Sequence, residues 1–379
     1  MNDLYILTIE TSCDETAIAV GRVTKERVRI LSHIVASQIK LHSKWGGVVP
    51  DLAAREHLKN LVPVAEKAFE AAGFSSVKKG FDLIELIGVT VGPGLAPALI
   101  TGMNFAKALS FFWKKPLIPV NHLEGHLYAP WINPDFNLNF RKKIFPALGL
   151  LVSGGHTLLI EMSDHLKYKI LGSTLDDAVG EAFDKVARII GLGYPGGPLI
   201  SQMALKGEPD FNFSIPLKNS RDFNFSFSGL KTAVLYKALT MSKNKSLKEV
   251  LGKAPKPNLE IELTEKQKAD LTKAFEETAI SALEIKTLKA LKIKNYRSFI
   301  LGGGVAANRL LRERIDEKIK RFNPAIKIFL PKIEHTGDNA AMLIPPTYLR
   351  FLKNKKSSFE PDASKGWKKI EIDPNLKLK

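Results

Sequence analysis

Short apolar runs rich in β-branched residues alternate with longer helical repeats along most of the chain. Tyr5-Ile-Leu-Thr-Ile9 and residues 16–20 predict two strands, joined by the polar segment Glu10-Thr-Ser-Cys-Asp-Glu15. Residues 28–35 predict a third strand. Over residues 51–72, Leu52, Leu58, Leu61, Val62, Ala65 and Phe69 recur at helical spacing, and Gly73 ends the pattern. A buried strand at 83–91 then turns at Gly92-Pro-Gly94 into a helix over 98–112, and a short strand follows at 116–120.

The opening pattern recurs further on. Residues 147–152 predict a strand, Ser153-Gly-Gly-His156 a tight loop, and 157–162 a returning strand. A helix is expected over 177–190, broken by the Gly/Pro-rich run 191–198. One long amphipathic helix is expected over 263–293, and a buried strand over 298–301. Gly302-Gly-Gly304 leads into a helix near Asn308. A last strand is expected at 327–330, with a helix over 338–352 interrupted by Pro345-Pro346. Alternating strands and helices with a duplicated strand–loop–strand opening imply an α/β chain of two related lobes with a cleft between them.

Composition narrows the picture. The 379 residues are 45% hydrophobic and 25% charged, as in an ordinary water-soluble protein. A single cysteine, Cys13, allows no internal disulfide and favours a reducing compartment. The start of the chain lacks the basic and apolar run of a secretion signal. The uncharged stretch 86–106 is long enough to span a membrane, but its glycines and prolines read as strand, loop and helix start. A cytoplasmic protein with no membrane partner is expected. The formal charge of +17 favours a polyanionic partner, with nucleic acid the first candidate. Between 237 and 256, Lys237, Lys243, Lys245, Lys248, Lys253 and Lys256 are opposed only by Glu249, and the Lys- and Pro-rich segment at about 242–262 predicts a mobile insertion. Arg350, Lys353, Lys355 and Lys356 form a second basic run.

Candidate chemistry begins with His122 and His126. At i and i+4 they share a helix face and can reach one metal ion. A zinc peptidase has its catalytic Glu directly after the first His. Here Leu123 holds that place, and Glu124 lies about 200° around the helix. The pair therefore suits binding or orientation rather than peptide hydrolysis. Ser153, Gly154 and Gly155 can bring backbone N–H groups close to a phosphate or carboxylate, and Gly303 and Gly304 can do the same; a plain turn is the alternative for each. Asp184 lies among Ala182, Phe183, Val186 and Ala187 and must find a partner, either a ligand hydroxyl or a protein group. Asp338 is a helix cap or a metal ligand. Asp14 and Glu15, with Glu10, put three carboxylates beside a strand end, where acid–base or metal chemistry is plausible.

Eight motifs occur together in one order: Glu10-Thr-Ser-Cys-Asp-Glu-Thr16, Gly92-Pro-Gly94, Asn121-His-Leu-Glu-Gly-His126, Leu151-Val-Ser-Gly-Gly-His-Thr157, Gly180-Glu-Ala-Phe-Asp-Lys185, Tyr194-Pro-Gly-Gly-Pro198, Ser226-Phe-Ser-Gly-Leu-Lys-Thr232 and Gly302-Gly-Gly-Val-Ala-Ala-Asn-Arg309. This pattern, running from about Leu4 to Leu343, resembles the TsaD family, once called Gcp or O-sialoglycoprotein endopeptidase, with archaeal and eukaryotic relatives called Kae.

The resemblance implies an actin- and hexokinase-like fold, with residues 1–120 as one lobe, completed by 340–379, and 121–339 as the other. It implies transfer of a threonylcarbamoyl group from threonylcarbamoyl-AMP to the N6 amine of the adenine 3′ of the anticodon in tRNAs reading ANN codons. It implies one divalent metal, iron foremost and zinc second, held by His122, His126 and Asp338. It places threonylcarbamoyl-AMP or ATP at Leu151, Val152, Ser153, Gly154, Gly155, Asp184, Gly197 and Asn308. Asp14 or Glu15 would accept the proton of the attacking amine. The expected partners are tRNA and TsaB-like and TsaE-like proteins of the bacterial set. Near the third ligand the usual Cys-Thr-Asp-Asn reads Thr336-Gly-Asp-Asn339. The alternatives are a metallopeptidase, as the old family name suggests, and a non-enzymatic nucleotide-binding partner subunit.

Overall fold

The computed structural model describes residues 3–24, 27–132, 137–138, 141–242, 261–356 and 366–378. The lysines expected at 243–256 lie outside the described residues. Two five-stranded sheets carry the molecule, each a β-hairpin extension on a parallel core. The first comprises β1 (Leu4–Glu10), β2 (Glu15–Thr24), β3 (Arg27–Ser37), β4 (Ile84–Gly92) and β5 (Leu117–Asn121), in the order β3-β2-β1-β4-β5. The second comprises β6 (Ala147–Val152), β7 (Thr157–Asp164), β8 (Lys167–Ser173), β9 (Ser298–Gly302) and β10 (Lys327–Phe329), in the order β10-β9-β6-β7-β8. In both, the first three strands pair antiparallel and the last two add parallel to the first. The duplication visible as a strand–loop–strand repeat thus extends to all five strands.

Central strands read as unbroken apolar runs because both faces are covered, and β6 and β9 are buried at every position. The edge strand β8, Lys167-Tyr-Lys-Ile-Leu-Gly-Ser173, is mostly exposed or half-buried. It has no apolar run to announce it, and the sequence reading missed it. The helices are α1 (Pro50–Ala71), α2 (Val77–Leu83), α3 (Ala96–Trp113), α4 (His122–Tyr128), α5 (Val179–Ile189), α6 (Gly196–Ala204), α7 (Ser228–Met241), α8 (Glu265–Leu291), α9 (Arg309–Phe322) and α10 (Ile344–Lys356), besides shorter turns. α8 opens with a capping box between Thr264 and Gln267.

Two expectations are corrected. The run 191–198 is not only a break, since α6 starts inside it at Gly196. Glycine and Pro198 are tolerated in a first turn, where N–H groups lack intrahelical acceptors. Nor do Pro345 and Pro346 interrupt a helix begun at Asp338. They sit in the first turn of α10, preceded by the short turn Ala341–Leu343.

The chain crosses between the sheets in a way that places the site. Asn121, the last residue of β5, caps α4 by accepting from the Leu123 N–H at 2.8 Å. Leu123, Leu127 and Tyr128 of α4 then pack with Ala147, Leu151, Ile160 and Ile300 of the second sheet. The return crossing ends in Ala340–Ile344, which packs with Ile6, Ala17, Ala19 and Ile118 of the first sheet. Close approaches lock this arrangement. A Cβ on Gly302 would lie 2.5 Å from the His126 carbonyl oxygen, and one on Gly303 (φ +92°) would lie 2.3 Å from that of Val152. By contrast, Cβ atoms at Gly154, Gly155, Gly197 and Gly304 would meet nothing within 4 Å.

Gly303→Ala should therefore destabilise the protein by about 1–3 kcal/mol, from strained backbone and collision. Gly154→Ala should leave stability within about 0.5 kcal/mol. Urea titrations of the two variants check both; equal effects would contradict this account.

Candidate metal centre and adjoining cavity

α4 brings His122 and His126 to one face, and the loop just before Ala340 on the return crossing brings Asp338 against them. His126 Nε2 lies 3.1 Å and His122 Nε2 3.4 Å from Asp338 Oδ1. The three donor atoms lie within 4.8 Å of one another. Metal bonds of about 2.1 Å, at tetrahedral or octahedral angles, separate neighbouring donors by roughly 3.0–3.4 Å. Two imidazoles and a carboxylate also suit a borderline divalent ion such as zinc or iron. Both donor set and spacing fit a metal ion.

The electrostatics are those of buried, mutually dependent charges. Burial would raise Asp338, but the two imidazoles outweigh it and hold the carboxyl far below the usual range. His122 is pushed up despite burial, because Asp338 and Glu10 face it. His126 is pulled down by burial, only partly offset by Asp338. Glu10 was seen in the sequence only as one of three clustered acids. In the structure it is fully buried, with Oε2 3.1 Å from His122 Nδ1. Gly125 lets α4 approach the return crossing, since a Cβ there would lie 2.8 Å from Met342.

Glu124 points elsewhere. Its carboxylate is held by Arg350 in two bonds of 2.9 and 2.8 Å. This bears out the phase argument against a peptidase base.

Four of the expected ligand residues line one cavity of about 380 Å³: Gly154, Asp184, Gly197 and Asn308, together with Gly304 and Ser201. That volume lies in the range of small-molecule sites, about 300–1,000 Å³. Gly154, Gly197 and Gly304 have no neighbour that forbids a side chain, so the open space in front of them is the feature they preserve. Asp184 accepts from the Gly196 N–H at 2.7 Å and so anchors the start of α6. Its carboxyl is raised by burial, against the lowering effect of that bond and of Arg188.

Asn308 caps α9 through the Leu311 N–H at 2.9 Å and donates to Glu276 at 2.7 Å and Ser201 at 3.0 Å. Leu151 and Val152 are buried in β6 and face opposite cores, leaving only their backbone for a ligand. The Ser153 hydroxyl accepts from the His156 N–H at 3.1 Å inside the turn, and Gly155 is exposed at its tip. His156, at the end of this loop, is held down to about 4 by burial and by His122 and His126, which favours the neutral imidazole.

The acidic loop flanks the same region. Asp14 is buried, and Glu15 accepts from the Ser37 hydroxyl at 3.3 Å. Burial, then Asp14 and Asp338, push the Glu15 carboxyl well up. The Cys13 thiol is likewise pushed up by burial and by Asp14, which disfavours its thiolate.

Residues 29–344 match the family described as TsaD, tRNA N6-adenosine threonylcarbamoyltransferase. The chain belongs to this family. A relative of the same description from Thermosipho africanus is 42% identical, over 99% of this chain and 100% of its own. One from Thermosipho melanesiensis is 46% identical over 92% and 95%, and one from Bacillus subtilis 41% over 96% and 95%. Among solved structures, HypF of T. kodakarensis superposes with a TM-score of 0.55 at 12% identity, covering 95% of this chain and 49% of its own. Full-length HypF in its phosphate- and nucleotide-bound form gives 0.54 at 12%, over 94% and 56%. The fold is the two-lobed actin- and hexokinase-like one expected from the motifs. Among the described residues no helix is long and apolar enough to cross a membrane.

His126→Ala should lose bound metal while retaining its fold, with elemental analysis and circular dichroism as the measurements. A full complement of metal in the variant would remove His126 from the ligand set.

Proposed function

We propose that this chain transfers the threonylcarbamoyl group of threonylcarbamoyl-AMP to the N6 amine of the adenine 3′ of the anticodon in tRNAs reading ANN codons. The observation that carries the assignment is the match to threonylcarbamoyltransferases along nearly the whole chain. The geometry supports it, since the fold holds both a glycine-lined cavity and the His122–His126–Asp338 cluster, with Gly154 at the cavity two residues from His156, whose imidazole feels both histidines. The adenylate lies in the cavity, with its phosphate at the glycine turn 153–155 and α6 near its ribose side. His122, His126 and Asp338 hold iron or zinc. When bound, the ion supplies Lewis-acid stabilisation of negative charge on phosphate or carbamoyl oxygen.

In the reaction the adenine N6 attacks the carbamoyl carbon. The new N–C bond forms, the C–O bond to phosphate breaks, and AMP leaves with the electron pair. Glu15 accepts the amine proton. Burial, and then the charge of Asp14, raise its pKa, so in its ionised form it is a stronger base than an ordinary carboxylate. No serine or cysteine nucleophile is required, which agrees with the raised Cys13 thiol.

The chain acts in the cytoplasm with TsaB-like and TsaE-like proteins. Leu58 and Val62 on α1 and Ile100 on α3, a helix in contact with α1, keep apolar side chains exposed that are available to such a partner. The two lobes comprise 1–120 with 340–379, and 121–339; the packing of Ile344 and Leu376 with the first sheet supports that division.

With threonylcarbamoyl-adenylate and its partner proteins, the purified protein should form threonylcarbamoyladenosine in an ANN-decoding tRNA, read by mass spectrometry of the digested RNA. Cys13→Ser should keep most of this activity, while Glu15→Gln should lose about 10²–10⁴-fold in kcat. Absence of product with the complete set, or an acyl adduct trapped on Cys13, would overturn the scheme. Gly154→Val should fill the space before the turn and weaken adenylate binding in calorimetry; unchanged affinity would return that loop to a plain turn.

A further inference from the structure

Glu10 makes no contact with the proposed substrate cavity, yet it is a fully buried carboxylate at the end of β1. A charge in that position needs donors on every side, and it has them. The Ser12 N–H donates to Oε1 at 2.6 Å, the Thr90 hydroxyl donates to Oε2 at 2.5 Å, and His122 Nδ1 lies 3.1 Å from the same Oε2. The Ser12 hydroxyl lies 3.1 Å from His122 Nδ1 as well. His122 Nε2 faces the other way, toward Asp338.

We propose that Glu10 is the positioning residue of the metal centre, holding His122 with its proton on Nδ1 and the Nε2 lone pair free for the ion. This rests on the reading of His122, His126 and Asp338 as metal ligands.

A carboxylate is required because all three groups around it donate. Glutamine has one acceptor oxygen and one donor amide. With its oxygen toward Thr90 and His122, its NH₂ meets the Ser12 N–H, donor against donor. Turned over, its NH₂ points at His122 Nδ1, which must then give up its proton and accept. That moves the ring proton to Nε2, the atom that should bind the ion. Either orientation harms the site while changing shape very little.

The other histidine has no such support. His126 Nδ1 is buried without a hydrogen-bond partner. The orientation of the donor set thus depends on the His122 side. Glu10 also adds a buried negative charge to that of half-buried Asp338, and together they would balance a divalent ion with two neutral imidazoles. Outer carboxylates of this kind typically contribute a factor of about 10–100 in metal affinity.

The test compares Zn²⁺ affinity, by chelator competition, in wild type, Glu10→Gln and Thr90→Val. Thr90→Val removes one donor but leaves the carboxylate and His122 unopposed. Glu10→Gln should bind about 10–100-fold more weakly, and Thr90→Val should lie much nearer wild type. Equal affinities in Glu10→Gln and wild type would overturn the proposal. Wild type that binds no Zn²⁺ would instead sink the ligand assignment on which it rests.

A second measurement needs no variant that might misfold. Long-range ¹H–¹⁵N correlation spectra of the zinc-loaded wild type should show His122 protonated at Nδ1 and coordinated through Nε2. Coordination through Nδ1 would refute the positioning role whatever the variants do.

Discussion

One half-buried carboxylate, Asp338, holds the architecture of the site together. It lies between two imidazoles that reach it from a different crossing of the chain. α4 carries the histidines as the chain leaves the first sheet for the second, and the loop before Ala340 carries Asp338 as it returns. Removing the histidines leaves the carboxylate without its partners, and removing Asp338 leaves two buried imidazoles without their shared acceptor. An ion at this point would tie both crossings to each other, so the relative position of the two sheets and the geometry of the metal site are one constraint. The glycines support the same junction. Gly302 admits the His126 carbonyl, Gly125 admits Met342, and Gly303 lies on Val152 at the root of the ligand turn.

The duplicated sheets explain why the cavity lies where it does. Each first hairpin turns at the same topological place, β1–β2 at the acidic loop and β6–β7 at the glycine turn. In the first half the turn bears carboxylates, and in the second it bears glycines and a neutral histidine. One half can therefore offer proton acceptors and the other space and backbone donors. On the proposed reading, binding and chemistry would be divided between two copies of one motif, a division that a single hairpin of either kind could not provide.

Much of this was legible in the chain because its signals are local. The strand runs of β1, β2, β4, β6 and β9 are continuous and apolar, and the His122–His126 spacing identifies a shared face without any tertiary information. The roles that escaped the sequence depend on distant partners. Glu10 reads as one acid among three until β4 supplies Thr90 and α4 supplies His122, 80 and 112 residues away. Asn308 reads as a ligand residue, but its cap of α9 and its bonds to Ser201 and Glu276 appear only when α6 and α8 are in place. β8 was missed because it is an edge strand with little apolar surface to bury, and α7 because its segment has no clear apolar face from which to read a helix.

The peptidase alternative fails on the direction of one side chain. A metal-dependent hydrolase needs a carboxylate on the metal face to draw a proton from bound water. The only acid within α4 is Glu124, on the opposite face, 2% exposed and saturated by the paired Arg350 bonds. Releasing it would break a buried ion pair and strand its charge. Glu10 is near enough, but its oxygens are occupied by Ser12, Thr90 and His122. The proposed proton acceptor is Glu15 on the acidic loop, next to Asp14 and accepting a hydrogen bond from the Ser37 hydroxyl. That is suited to taking a proton from an amine arriving at an already activated acyl group, a task that needs no metal-bound hydroxide. The same donor set can thus serve a hydrolase or a transferase according to which carboxylate is left to take the proton, and the role proposed for Glu15 falls on the transferase side.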